Sequence, residues 1–200
     1  TRAFGQEDSP LFAAEPNYLL SSRSYWYPQN PVGDYATATI RLTVPPGYRC
    51  VASGQPVREK TEVTLRDLLS TPGGTAYVFR ATEPLRYLAF VVSRFTKVAE
   101  SEVSVQSDGR PRRSRAGDHV ALAVEANPRL RGYGREILGP VEDIMGFYAS
   151  LVNDVPYPSL TLALTEDALP GGHSPGYFAM VNTPPPQTPF TWGNDPAAFP

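Results

Sequence analysis

The sequence predicts an α+β protein: a mainly antiparallel β domain first, then strands grouped around one main helix. Three stretches predict it. Asp34 to Val44 alternates, with Ala36, Ala38, Ile40, Leu42 and Val44 facing one way and Tyr35, Thr37, Thr39, Arg41 and Thr43 the other, the pattern of a half-buried strand. Leu85 to Phe95 is almost continuously apolar, as a strand buried on both faces is. From Ile137 to Val152 the period changes: Ile137, Leu138, Val141, Ile144, Met145, Tyr148, Leu151 and Val152 recur at three- and four-residue steps and mark one helical face.

Length and composition bound the rest. Two hundred residues suffice for one substantial domain or two modest lobes. A hydrophobic share of 41% and a charged share of 19% fit a folded soluble chain. A net charge of -2 and a pI near 5.7 give no electrostatic case for nucleic acid or an anionic membrane. The single cysteine, Cys50, excludes an internal disulfide framework and reads as a buried, inert thiol. His119 and His173 stand far apart with no ligand spacing around them, so no metal motif is present. No apolar run is long enough to cross a bilayer, and no signal peptide is visible. A start at Thr1 and a stop at Pro200 in a proline-rich tail read as the cut ends of a piece of a longer protein.

Taken in order, Thr1 to Pro16 reads as loop. The aromatic cluster Tyr25-Trp26-Tyr27 before Pro28 reads as filling for the core between sheets. After the strand to Val44, Pro45-Pro46-Gly47 makes a turn and Tyr48 to Ser53 returns as a second strand ending at Gly54. Val63 to Leu69 is apolar but short, Thr71-Pro72-Gly73-Gly74 is a turn, and Ala76 to Ala81 is a strand. Val98 to Gln106 alternates again beyond the long apolar strand.

Ser107 to Asp118 carries Arg110, Arg112, Arg113 and Arg115 without interleaved aromatic rings, the composition of a solvated hairpin tip. His119 to Ala126 is a strand whose first residue reads as a hydrogen-bonded structural histidine. Asn127 to Gly139 is turn-rich. Pro140 belongs in a first helical turn, so the regular helix is expected there, with Ile137 and Leu138 leading in. Glu142 and Asp143 suit a helix N-terminus and carry no catalysis. Asn153-Asp154, Pro156 and Pro158 stop the helix before the apolar run Leu160 to Leu164. Pro170 to Gly176 reads as a loop feeding a strand closed by Asn182. His173-Ser174 is not a nucleophile pair, because adjacent side chains generally diverge and no third group is announced. Thr183 to Pro200 is loop or extended coil.

A strand placed after such a loop can offer its backbone edge to an extended peptide. Its tail, Ala179-Met180-Val181-Asn182, resembles the G-A-M-E-N motif of the aminopeptidase N family of zinc metallopeptidases, with valine in place of the glutamate. The order of helix, Tyr157-Pro158, strand and motif is similar to that family too. So are the aromatic-Pro element at Tyr25 to Pro28 and the strand from Leu85 to Phe95. The resemblance implies an N-terminal β domain over 1–106, then the opening of a thermolysin-like catalytic lobe over 107–200. It also implies a peptide- or protein-binding role for Gly176, Tyr177, Ala179, Met180, Val181 and Asn182.

In the family the motif's backbone aligns the peptide and its glutamate pairs with the substrate α-ammonium. Val181 has no carboxylate, and Leu19-Leu20-Ser21-Ser22 lacks the Glu or Gln that helps hold the amine. Burying an ammonium there unpaired costs on the order of several kcal/mol. The zinc motif H-E-x-x-H is absent. Zinc and catalytic residues are therefore expected only in a longer parent, and none in this chain. Two readings follow: a fragment of an aminopeptidase-N-like zinc metallopeptidase, or a non-catalytic β-rich peptide- or protein-binding module on a degenerate peptidase scaffold. Neither includes nucleic acid or a membrane segment.

Overall fold

A computed structural model describes residues 13–29, 34–57, 73–104, 119–167 and 171–183. The apolar run Val63 to Leu69, the arginine-bearing segment 107–118 and the tail 184–200 lie outside the described residues. In chain order the elements are β1 (Asn17–Leu20), β2 (Ala36–Val44), β3 (Arg49–Ala52), β4 (Gln55–Pro56), β5 (Thr75–Leu85), β6 (Phe90–Ser93), β7 (Thr96–Ser104), β8 (His119–Ala126), α1 (Arg131–Glu136), α2 (Leu138–Val152), β9 (Ser159–Glu166), β10 (Gly171–His173) and β11 (Phe178–Thr183).

Two three-stranded antiparallel sheets, ordered β2-β5-β4 and β1-β6-β3, form the first part. Ile40, Val44, Cys50, Ala52 and Phe79 close the core between them, with Trp26 and Phe90 packed against it. Trp26 meets Phe90 edge to face at 4.9 Å, and the Tyr27 hydroxyl accepts the Leu88 N–H at 3.0 Å. Tyr25 is the exception to the expected aromatic filling: it is 81% exposed.

The apolar run expected as one strand from Leu85 to Phe95 holds the last residue of β5, a corner and β6. β5 ends at Leu85, the chain turns a corner over residues 86–89, and β6 starts at Phe90 in the other sheet. Ser53 holds the corner, donating its N–H to the Ala89 carbonyl at 2.9 Å while its Oγ accepts the Ala89 N–H at 3.1 Å. The run is apolar because Leu85, Ala89, Val91 and Phe95 are buried, a demand that a single strand and a sheet-switching corner share.

The remaining strands build a five-stranded sheet ordered β10-β11-β9-β8-β7, with β8, β9 and β11 parallel and the outer strands antiparallel. β7 pairs along β8, so this sheet takes in residues on both sides of position 106. One sheet face meets the helices. There α2 sets Leu138, Val141, Met145 and Ala149 against Val120, Leu122 and Leu160. The other face meets the β domain, where Ala163, Phe178 and Met180 join Val51, Val91 and Phe95 in one core. The helix runs from Leu138 with Pro140 in its first turn and stops at Asn153, whose left-handed φ of 51° asparagine tolerates. α1 lies in the segment read as turn. Gly132 and Gly134 weaken it as a helix, yet a Cβ on Gly134 would fall 2.7 Å from Val98 Cγ2, so glycine lets α1 sit on the sheet.

Candidate peptide-binding edge

The six residues expected to bind a peptide divide by position. Gly176 has a φ of +92°, and a Cβ there would lie 2.8 Å from Leu85 Cδ2 and 2.9 Å from Tyr157 Oη. Tyr177 is 1% exposed at a φ of +64°, rare for an aromatic residue. Its hydroxyl accepts the Glu83 N–H at 2.8 Å, and its ring lies 4.5 Å from that of Tyr157. Tyr177 is a brace between the two parts of the molecule. Met180 is buried toward the β domain, while Ala179 and Val181 pack on the helix side. Asn182 Oδ1 accepts the Thr165 hydroxyl at 3.0 Å.

The run closing at Asn182 is also not the sheet edge. β9 lies along one side of it, and β10 covers the other, pairing Gly171 with Asn182, Gly172 with Val181 and His173 with Met180. The expected edge moves one strand outward, into residues read as loop. The signal that hid it is Gly171-Gly172, a dipeptide that ordinarily punctuates rather than extends a strand. Here glycine is required, since a Cβ on Gly172 would stand 2.8 Å from the Met180 carbonyl oxygen.

Among the described residues no strand lies beyond β10, and Gly171 and Gly172 are exposed. In an antiparallel pair alternate residues turn their N–H and C=O outward, so this edge can pair with a further extended chain. His173 is half-buried beside the Tyr87 ring at 6.0 Å, and its Nε2 is buried without a hydrogen-bond partner. Burial first, and the Arg23 charge second, hold its pKa below the ordinary imidazole value. Ser174, next in the chain, is exposed.

A zinc ion does not fit these residues. His119 stands at the start of β8, with Nδ1 3.3 Å from Ser104 Oγ and 3.7 Å from Glu102 Oε1. His173 is on β10, three strand spacings or about 14 Å across the sheet. The buried carboxylates are engaged: Glu125 with Arg49 at 2.9 Å, and Glu166 with Arg129 and the Glu15 N–H. Among the described residues no three His, Cys, Asp or Glu side chains gather as a metal set. Cys50 is inert as expected, its thiol pushed up to about 12 chiefly by burial.

The sequence matches no family model and no curated protein. Its fold is similar to solved structures of M1 zinc metallopeptidases, the aminopeptidase N family. The enzyme from Deinococcus radiodurans superposes with a TM-score of 0.60 at 15% identity, over 80% of this chain and 33% of that one. A mutant two-domain M1 zinc metallopeptidase bound to L-arginine gives 0.54 at 16% identity, over 75% of this chain and 31% of that one. The chain thus spans about a third of the length of these structures, and what it shares with them is the fold of their metallopeptidase scaffold.

Proposed function

We propose that this chain is the β-domain and opening-lobe portion of an aminopeptidase-N-like zinc metallopeptidase, and that its own contribution is a strand edge that aligns an extended peptide. The supporting observation is β10, an exposed two-glycine strand outermost among the described residues in a sheet of this fold. If the family motif is laid on this outer strand instead of β11, its glutamate falls on Ser174. In either register the glutamate's place holds no carboxylate, being Ser174 or Val181. The metal and the catalytic groups belong to a longer parent. Zinc there would polarise the scissile carbonyl and activate water.

The missing carboxylate supports a second reading, a non-catalytic peptide- or protein-binding module on the same scaffold. Zinc analysis of the full-length protein, with a search of its downstream sequence for H-E-x-x-H and a later glutamate, separates the two. One zinc per chain is expected under the first reading. A full-length protein with no such motif and no zinc leaves the second.

A further inference from the structure

We propose that residues 13–20 are an exchangeable arm, and that a second copy of this chain donates the same arm to the same seat, forming a strand-exchanged dimer.

The arm is held as an extended peptide, largely through its backbone. Arg129 Nη2 donates to the Ala13 carbonyl at 2.8 Å, the Glu15 N–H donates to Glu166 Oε2 at 3.0 Å, and Ser93 Oγ donates to the Pro16 carbonyl at 2.8 Å. β1 then adds to the edge of β6, pairing Asn17 with Ser93 through to Leu20 with Phe90. Leu19 packs on the shared core, and the Glu15 carboxylate stands 3.7 Å from Arg94. Yet no residue from 13 to 20 is fully buried, so the arm opens at far less cost than the sheets that hold it. An open arm uncovers the β6 edge and takes from the fully buried Glu166 one of its donors. The occupant that restores every one of these contacts is the arm itself, from this copy or another.

The hinge favours the second source. Residues 21–25 join the arm to Trp26, whose ring is anchored on Phe90 at 4.9 Å. They turn tightly, the Ser24 N–H donating to the Ser21 carbonyl at 3.0 Å, and end at Tyr25, exposed with a φ of 49°. A left-handed conformation is costly for a residue other than glycine. Exchange relieves it, because in a dimer the five hinge residues are free to extend to about 17 Å.

The test opens the full chain in partial denaturant at millimolar concentration, returns it to buffer and measures mass by light scattering. One sample carries a nitroxide on Tyr18→Cys, and Cys50 stays unlabelled because it is buried and its thiol is pushed up to about 12. That sample is mixed, before opening, with isotope-labelled unsubstituted chain. A dimer is expected in which the Val91, Val92 and Ser93 amides of the labelled copy broaden, since the other copy's arm lies beside them. Tyr25→Gly should lower the dimerisation constant on the order of 10-fold or more, and Tyr25→Val should raise it, because two hinges relax per dimer. A chain that stays monomeric, a dimer without broadening at these amides, or a dimer indifferent to Tyr25 each overturns the proposal.

Discussion

Among the described residues two glutamates are buried, and they differ in how well they are served. Glu166 is fully buried and receives Arg129 through two nitrogens together with the Glu15 N–H, while its own N–H donates to Asn127 Oδ1 at 3.0 Å. Asn127 passes the network on through Nδ2 to Ser93 Oγ at 2.8 Å. Glu125 is worse placed. Arg49 reaches Oε1, but Oε2 is buried with no partner. Burial raises its pKa above 4.5, and Arg49 offsets this only in part. A carboxyl raised on folding contributes stability below its unfolded pKa near 4.5, and that contribution is lost as pH rises through the folded value. Glu125→Gln keeps an acceptor for Arg49 and removes the buried charge. Urea denaturation across pH 4 to 7 should show a flatter profile for the variant than for the parent, with stability at pH 7 within about 1 kcal/mol or higher. A steeper profile would contradict this assignment.

At the scale of the element, two glycines fix where strands and helices lie. Gly134→Ala pits a helix-propensity gain of about 1 kcal/mol against overpacking of about 1–3 kcal/mol. Overpacking wins because the obstructing atom is a methyl of Val98, stiff at χ1, with Ala126 Cβ at 3.3 Å behind it. The variant should melt at lower temperature despite being the better helix former. Gly172→Ala aims its Cβ at the Met180 carbonyl, part of a backbone that cannot swing aside. Loss of hydrogen-exchange protection at Met180 to Asn182 is expected as β10 leaves the sheet, while β8 amides stay protected. These glycines also explain what was legible beforehand. β2 and α2 were readable because their alternation and helical periodicity report one buried face each. α1 and β10 were not, since in both a glycine serves close approach of backbone to neighbour, and in sequence that is indistinguishable from a turn. The sheet's edge therefore lies one strand outside the more apolar run that reads as one. Apolar character marks burial, and a free edge is where burial ends.

For the molecule as a whole, the question is whether the two parts behave as one body. The β domain and the five-stranded sheet share a core in which Phe178, fully buried, packs with Val51, Val91 and Phe95. Polar ties cross the same boundary, among them Tyr177 to Glu83, Asn127 to Ser93, Arg49 to Glu125 and the Glu15 N–H to Glu166. β7 follows β6 after two residues and pairs with β8, so the chain itself enters the second sheet directly from the first part. Shared apolar burial of this kind makes separate unfolding costly to either side, because opening one exposes the inner face of the other. Denaturant unfolding is therefore expected as a single transition. Trp26 fluorescence, read in a Trp192→Phe background, should coincide with the helical circular dichroism signal from α2. Phe178→Ala should cost about 3–5 kcal/mol, as large-to-small changes at fully buried aromatics do. Because the lost contacts belong to both sides, its two probes should shift together to lower denaturant. If Trp26 held its midpoint while the helix signal moved, the parts would be two independent bodies, and the core shared through Phe178 would not be what joins them.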